Sequence, residues 1–468
     1  MSIEPIGLLT LVVGLLCLQF GYLAAATTFV VATLFGAATT VVIGSANIQP
    51  AHLFLAFVAA TTLTRRREAA AAIRAIRMPS PGFWLMCMIL YGVFTGIVMP
   101  RLLAGTMQIV PLGASEYADT GSTVPLGPVS SNFTAGVYLV ADLVCFTLVV
   151  TIASTRAGFI AIAGALVAYA AGNVLFALLD LTTYSTNTQW TLEFMRNAKY
   201  TLHIEEEVSG LKRIVGSFPE ASSFGRSTLG ALGFVGTLWL CGRRPVLNGV
   251  LAAASLALVV LSTSSTGLAG TPPVLLILYV TALMRSGFHP SRPYSSAAVL
   301  CAPLLVVAVI LAAQFNDEAA AAIHDYVDSV IFSKAQSSSG VERQAWNTLA
   351  LQNFFDSFGF GVGLGTVRTS SFPVALLSNV GVPGTIFYLL FIASALGRGR
   401  GVPRTFPADV RLAARNACLG LIIGDTFSAP NVDQGLLFYV LAGVACAEPE
   451  RSAAVPSPEL SRPIGARA

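Results

Sequence analysis

Long apolar runs recur along almost the whole chain, from residue 6 to residue 446. A helix of about 20 apolar residues crosses the roughly 30 Å hydrocarbon layer of a bilayer. The runs that reach or approach this length lie near residues 6–23, 26–44, 50–63, 83–99, 133–153, 158–179, 229–241, 247–263, 268–284, 295–314, 372–396, 412–427 and 433–447. The third and seventh runs are short, so the pattern predicts 12–13 transmembrane helices.

The composition excludes a soluble protein. Residues of the types AVILMFWYC make up 55% of the 468 residues, and charged residues make up 11%, against about a quarter in soluble domains. A soluble globule of this length needs a polar surface that such a chain cannot supply. Cytosolic enzymes, nucleic-acid-binding proteins and disordered chains are therefore excluded, and a net charge of +4 gives no reason to expect a polyanionic partner.

The predicted fold class is all-α, a polytopic helical membrane bundle. A β-barrel is excluded because the runs are continuous, whereas barrel strands alternate apolar and polar residues. We expect one membrane domain over residues 1–447, followed by a disordered cytoplasmic tail at 448–468, which is rich in Pro, Ser and Ala. A signal peptide cleaved near residues 24–26 is the alternative for the first run, but the opening MSIEPIG lacks the basic residues of such a peptide.

The Lys and Arg residues predict the orientation of the bundle. Fourteen of them lie in five short connections, at 64–82, 154–157, 242–246, 285–294 and 397–411, which we assign to the cytoplasm. Within the first connection, residues 65–77 predict a basic helix that lies on the inner leaflet or simply anchors the topology. The opposite side carries three long segments, at 100–132, 180–228 and 315–371, which share only nine Lys and Arg.

Function is most reasonably sought in these three long segments, because a membrane bundle does not need them to connect its helices. Their candidate side chains for binding or catalysis are Lys212, Arg213, Glu220, His203, His324, Arg343, Trp346 and Arg368. Arg343 and Trp346 are one helical turn apart, which allows the ring to stack on the guanidinium.

Four alternating glycines, Gly359, Gly361, Gly363 and Gly365, precede the helix expected from Phe372. Their backbone N–H groups can close around an anion or a sugar, or the glycines can form a tight entry into the helix. A nucleotide-binding fingerprint is excluded, because no strand and crossover helix surround the pattern.

Two acidic residues, Asp142 and Asp425, lie inside apolar runs, where a charge is costly unless it is paired or functional. Arg415 is the cation that the sequence offers as their partner within the membrane.

The chain has no Asp-x-Asp motif and no His/carboxylate cluster at ligand spacing, and its seven cysteines lie in or beside apolar runs. Neither a metal, nor a disulfide, nor another cofactor is predicted.

Four motifs resemble the bacterial O-antigen polymerase and O-antigen ligase superfamily. They read RIVGSFPEASSFG (residues 213–225), RQAWNTL (343–349), GFGVGLGTVRTSS (359–371) and LLSNVGVPGTIFYLLF (376–391). The EASSFG ending and the STSSTG step at 262–267 are more similar to the exopolysaccharide polymerase branch. The hydropathy and the arrangement of long segments agree with this superfamily over nearly the whole chain.

The resemblance implies a multi-span inverting glycosyltransferase of the bacterial inner membrane. Its donor would be an oligosaccharide linked to undecaprenyl diphosphate, without metal or nucleotide sugar. Arg213 and Arg343 match the two family arginines that contact the donor diphosphate in the ligases. Guanidinium groups suit this role, because they hold phosphate oxygens bidentately while negative charge grows on the leaving group. A chain-length regulator or an export protein would be a further partner.

The remaining roles follow from the same resemblance. Arg368 and Lys212 would help to hold the diphosphate, with Trp346 beside them. Glu220 is the first candidate for the base that deprotonates the acceptor hydroxyl, and His203 and His324 are the alternatives. The ligases place a histidine eleven residues before the glycine that corresponds to Gly381, where this chain has Ser370.

Two other functions remain open at this point. A ligase would use the same donor and deliver the glycan to a lipid core, although Ser370 in place of the histidine argues against it. A transporter or flippase of the lipid-linked glycan predicts internal repeats and paired charges at the midplane, and no convincing repeat is present.

Overall fold

The computed structural model describes residues 2–43, 46–115, 117, 123–198, 202–208, 210–287 and 293–450. Apart from residues 448–450, the tail that was expected to be disordered lies outside the described residues. The apolar runs form helices, since a helix satisfies its own backbone N–H and C=O groups where lipid offers no partner. The helices are α1 (Pro5–Phe20), α2 (Tyr22–Ala32), α3 (Pro50–Leu63), α4 (Arg66–Ala75), α5 (Pro81–Leu102), α6 (Ser130–Ala153), α7 (Arg156–Ser185), α8 (Ala221–Leu240), α9 (Pro245–Leu261), α10 (Ser265–Ser286), α11 (Pro293–Phe315), α12 (Asp317–Val327), α13 (Ser333–Gln336), α14 (Ser338–Asp356), α15 (Phe372–Leu396), α16 (Phe406–Ser428) and α17 (Leu436–Cys446).

Short strands accompany the helices at the connections. They are β1 (Ser2–Ile3), β2 (Val41–Ile43), β3 (Ala46–Ile48), β4 (Gln108–Ile109), β5 (Val124–Pro125), β6 (Glu207–Val208) and β7 (Leu211–Lys212). Strands β1, β2 and β3 form one antiparallel sheet, and the other four form two separate pairs.

Six helices in the described part of the chain are long and apolar enough to cross a membrane: α5, α6, α7, α10, α11 and α15. Five shorter apolar helices, α1, α2, α3, α9 and α17, accompany them. The described part of the chain is therefore an all-α helical bundle whose six long apolar helices are suited to span a membrane, which agrees with the predicted fold class. The full count of 12–13 spans stays a prediction.

Small residues bring α8 and α16 close together at the centre of the bundle. A Cβ atom at Gly233 would lie 2.8 Å from the carbonyl oxygen of Asn416, and one at Gly420 would lie 2.7 Å from that of Leu229. Such close approach lets helix backbones pack directly where no hydrophobic effect drives association. Helix α17 lies against α16 and α6 and is buried along almost its whole length.

The structure of the second apolar run, at 26–44, differs most from the predicted helix. Helix α2 ends at Ala32, and the chain continues through turns into β2. The backbone N–H of Ala37 donates to the carbonyl oxygen of Ser217 at 3.1 Å, and the Asn197 side chain bonds both the N–H and the C=O of Thr39. This stretch therefore packs beneath the second long segment instead of forming a full-length helix.

The three long segments meet at one end of the bundle. The first and third are joined by the N–H of Arg368, which donates to the carbonyl oxygen of Val110 at 2.9 Å, and by the Asn353 amide, which donates to that of Gln108 at 2.8 Å. At the opposite end, connections 242–246 and 397–411 come together around the start of α16. The long segments and these two arginine-rich connections thus lie at opposite ends.

Helix α15 is broken at Gly381, whose φ of 62° and ψ of −167° are not helical. The break leaves carbonyl groups of the first half of the helix without helical partners. The glycine-rich stretch supplies them: the N–H of Val362 donates to Ser378 at 2.8 Å, and that of Gly363 donates to Asn379 at 3.1 Å. The Asn379 side chain in turn accepts from the N–H of Thr366 at 3.1 Å.

All four alternating glycines have positive φ angles, between 75° and 107°. The N–H groups of Gly359, Gly361 and Gly363 donate to Phe354, to the Ser357 hydroxyl and to Asn379 within the protein. Three of the four amides that an anion cradle would need are therefore already used. The geometry favours the second interpretation of this motif, a tight connection into α15.

Candidate functional site

The second long segment is attached to the bundle by one buried carboxylate. Asp180, near the end of α7, is completely buried. Its Oδ2 accepts from the N–H groups of Val215 at 2.8 Å and Gly216 at 3.1 Å. Its Oδ1 pairs with Arg196 at 2.7 Å, and Lys212 lies 3.5 Å from the same oxygen. The first resemblance motif is thereby held at the end of α7.

Lys212 points into the protein rather than toward a ligand. Its ammonium donates to the carbonyl oxygens of Ile204 and Arg213, and its side chain is 4% exposed. Burial lowers the pKa of Lys212; Asp180 opposes this effect and the neighbouring Arg196 adds to it. The predicted substrate-binding role therefore has little geometric support, and Lys212 helps to fix the loop.

Arg213 and His203 share one carboxylate. The Arg213 guanidinium donates to Oε2 of Glu206, and Nδ1 of His203 lies 2.6 Å from Oε1 of the same residue. Burial alone would raise the pKa of Glu206, but Arg213 and His203 together lower it below the ordinary value. Arg213 is 11% exposed, and its buried Nε has no hydrogen-bond partner among the residues that the structure describes.

Glu220 and Arg343 connect the second and third long segments. Glu220 precedes the first turn of α8, and Arg343 lies on α14; the carboxylate and the guanidinium are 3.7 Å apart. The Ser222 hydroxyl also donates to Glu220. The backbone N–H of His203 donates to Pro219, at 2.9 Å. Two groups of side chains, Arg213–Glu206–His203 and Glu220–Arg343, are thus linked through the backbones of His203 and Pro219, and together they are called the cluster.

Trp346 stacks on Arg368, and not on Arg343 as its spacing suggested. The Arg368 guanidinium lies 4.3 Å from the centre of the Trp346 ring. The Asn347 side chain bonds Ser370 through its amide and its oxygen, at 3.0 and 2.9 Å, and the Ser370 hydroxyl lies 3.4 Å from the Arg343 carbonyl oxygen. Ser370 thus braces the helix that carries Arg343.

His324 is set apart from this cluster. It lies on α12, is 81% exposed, and its ring nitrogen is 3.7 Å from the carboxylate of the neighbouring Asp325. Over the described ranges, no three His, Cys, Asp or Glu side chains are grouped so that they could hold a metal ion.

A second ion pair, between Arg226 and Asp425, lies deeper in the bundle. The two groups are joined by two hydrogen bonds, and Arg226 also donates to the carbonyl oxygen of Gln434. The Gln434 amide donates to Asp425 at 3.2 Å and accepts from the Tyr388 hydroxyl at 2.6 Å. This network joins α8, α15, α16 and the connection before α17.

The prediction that Arg415 pairs with Asp425 is therefore wrong. The two residues lie ten positions apart on α16, which separates them by about 15 Å along the helix. Helix geometry alone would have excluded the pair. The sequence places Arg226 in the long segment 180–228, whereas α8 begins at Ala221, eight residues before the apolar run, so this arginine belongs to a buried helix and not to a loop. Asp142 interacts with another carboxyl group, that of Asp433, and not with Arg415.

No protein-family model matches the chain, and no curated protein matches it either. The function must therefore be argued from the motifs and from the geometry of the cluster.

We expect Asp180→Ala to destabilise the protein by about 3–5 kcal/mol, because the change leaves the buried cations Arg196 and Lys212 without their partner. The measurement is the midpoint of thermal unfolding of the purified protein in detergent. Asp325→Ala is the matched control, because that carboxylate is 84% exposed. Equal midpoints for the two variants would contradict the role of Asp180.

Glu206 gives a pH-dependent prediction. Because its pKa is lower in the folded protein than its ordinary value of 4.5, the ionised group stabilises the fold above that pH. This contribution is lost as the pH falls through the lowered folded value. The difference in unfolding midpoint between the wild type and Glu206→Gln should be largest at neutral pH and should close below 4.5.

Glu205→Gln is the control for this series, since Glu205 is exposed and the structure gives it no ion pair among the described residues. A difference between the wild type and Glu206→Gln that stays constant with pH would rule out the Arg213–Glu206–His203 interaction.

Proposed function

We propose that the protein is a polysaccharide polymerase of the bacterial inner membrane. It would transfer glycan from an undecaprenyl-diphosphate-linked donor onto a lipid-linked repeat unit at the outer face. The observation that carries the proposal is the contact between Glu220 and Arg343, 3.7 Å apart. These residues belong to two motifs of the resemblance that are far apart in the sequence, and Arg213 joins the same cluster.

The proposed topology has 12–13 spans, with the arginine-rich connections in the cytoplasm. Connections 242–246, 285–294 and 397–411 share one end of the bundle, because Arg243 and Arg285 both pair with the buried Asp409, at 2.7 and 2.8 Å. The three long segments share the other end. Positively charged connections favour the cytoplasmic side, so the cluster would face outward, where the lipid-linked glycan is presented.

Arg343 and Arg213 would stabilise the diphosphate as the sugar leaves. The Arg343 side chain is 35% exposed and touches its carboxylate only at 3.7 Å, so most of its five N–H donors remain available to a ligand. A hydrogen bond to a charged group contributes about 1.5–3 kcal/mol. Arg368 is exposed and held against the Trp346 ring beside this position, which suits a further contact with the donor.

Glu220 would accept the proton of the acceptor hydroxyl. It is 29% exposed and adjoins Arg343, which places a carboxylate next to the proposed leaving group. His203 is the alternative: its Nδ1 is engaged by Glu206, so Nε2 remains to accept a proton, and its side chain is 46% exposed. Positioned general bases contribute on the order of 10²–10⁴-fold to a rate.

Two other functions would use the same lipid-linked glycan. A ligase would transfer it to a lipid core. A flippase predicts paired charges at the middle of the membrane. Arg226 and Asp425 form a buried pair, but they lie near the ends of α8 and α16 rather than at their centres. This position favours a structural role for the pair beneath the cluster.

The proposal predicts a ladder of polymer when the purified protein is incubated in detergent with undecaprenyl-diphosphate-linked repeat units and a metal chelator. Arg343→Ala and Arg213→Ala should each slow the reaction by about 100-fold or more, because each removes donors aimed at developing charge. Lysine at either position should restore the rate only in part, since it lacks the planar fork.

Arg101→Gln is the matched control, because Arg101 is an exposed arginine at the same end whose side chain bonds, among the described residues, only the Ile97 carbonyl of its own helix. A folded wild type that forms no ladder would refute the polymerase. Transfer to a lipid core without a ladder would indicate the ligase. Loss of single repeat units from the outer face of cells carrying Arg343→Ala would indicate the flippase.

The same assay separates the two candidate bases. We expect Glu220→Gln to reduce the rate by about 100-fold or more while donor binding is retained, and His203→Ala to have a much smaller effect. Binding of the donor is measured separately, because Glu220→Gln also changes the surroundings of Arg343. The reverse order of the two effects would assign the base to His203.

A further inference from the structure

A cavity of about 430 Å³ lies at the arginine-rich end of the bundle, opposite the Glu220–Arg343 cluster. The end of α10, the end of α15, the first half of α16 and the end of α17 enclose it. Six arginines line the cavity and no acidic residue does: Arg285, Arg398, Arg400, Arg404, Arg411 and Arg415.

Three of these arginines are neutralised within the fold. Arg285 lies 2.8 Å from Asp409, Arg411 lies 2.7 Å from Glu450, and Arg400 lies 3.8 Å from Glu448. Arg400 and Arg411 also donate to backbone carbonyl groups, among them those of Ala395 and Ala447. These three side chains therefore stabilise the fold, although their positive charge still contributes to the potential in the cavity.

The other three, Arg398, Arg404 and Arg415, are exposed and form no ion pair with any residue that the structure describes. Arg415 is the tenth residue of α16, about 14 Å along the helix from its start. An unpaired guanidinium this far along a helix of an apolar bundle is costly unless water or an anion reaches it. The cavity thus has an excess of positive charge that calls for an anionic ligand.

Apolar side chains complete the wall of the cavity. Met284, which is 79% exposed, and Leu412 lie beside the arginines, with Ala408 and Ala445. A site with guanidinium groups and an adjoining apolar wall matches a molecule that carries a phosphate and a hydrocarbon chain. Residues 451–468 do not match it, because they contain three arginines and one glutamate.

We propose that this cavity binds an anionic phospholipid of the leaflet that surrounds it. Arg398, Arg404 and Arg415 would hold the phosphate group, and an acyl chain would lie along Met284 and Leu412. Arginine suits this contact because its planar fork matches phosphate oxygens, and basic pockets between membrane helices favour multiply charged lipid headgroups. The site is independent of the glycan chemistry proposed for the opposite end.

The test uses the full chain, purified in detergent and examined by native mass spectrometry with added cardiolipin, phosphatidylglycerol or phosphatidylcholine. The wild type should retain the two anionic lipids at concentrations about ten-fold or more below those needed for phosphatidylcholine. The triple variant Arg398→Gln, Arg404→Gln, Arg415→Gln should lose this preference, and Arg415→Gln alone should weaken it.

Arg244→Gln is the matched control, because Arg244 is exposed at the same end and does not line the cavity. If Arg415→Gln does not fold, the double variant of Arg398 and Arg404, which lie in the exposed connection, carries the test. An unchanged lipid preference in the triple variant would overturn the proposal. Displacement of the lipid by inorganic pyrophosphate at equal concentration would also overturn it, in favour of a soluble anion.

Discussion

The buried carboxylate of Asp180 is the contact on which the proposed active site depends. It gathers Arg196, Lys212 and two backbone N–H groups of the first motif, so a polar segment of more than thirty residues is fixed to the end of one helix. Removing one partner from such a group leaves uncompensated buried charge. Ile214 and Phe218 of the same stretch are buried against Ala177 of α7, so polar and apolar contacts together fix the backbone that carries Arg213 and Glu220.

The arginines of the bundle fall into two groups by burial. Those inside, such as Arg196 and Arg226, are bound to a carboxylate and to a backbone carbonyl oxygen, which offsets the cost of taking them out of water. Among those that keep free donors are Arg343 and Arg368 in the cluster at one end, and Arg398, Arg404 and Arg415 in the cavity at the other. Because structural needs account for the first group, the second is where binding of anions is expected.

The sequence predicted the positions of several helices well, but it did not predict which side chains pair with each other across the fold. Apolar runs predicted the positions of α5, α6, α7 and α15, because hydrocarbon length and backbone satisfaction leave a long apolar run few other choices. The prediction of a helix over 26–44 was wrong in its second half, because that stretch forms hydrogen bonds with Asn197 and Ser217. The local sequence pattern does not encode these distant contacts. The same reason hid the ion pair of Arg226 with Asp425, which lies on another helix, and the stacking of Trp346 on Arg368.

In the proposed reaction, Glu206 would link donor binding to the acid–base chemistry of the cluster. Its two oxygens hold Arg213 and His203, so a diphosphate that reached the Arg213 guanidinium would compete with Glu206 for the same N–H donors. A carboxylate released in this way would remain paired with His203 alone and would orient its ring more strongly. Glu220 has an analogous relation to Arg343, at a longer distance of 3.7 Å. In both pairs, an arriving anion would replace the carboxylate as the negative partner of the guanidinium, so the charge of the arginine would stay balanced. The displaced carboxylate would then be free to act on the neighbouring base, or as the base itself.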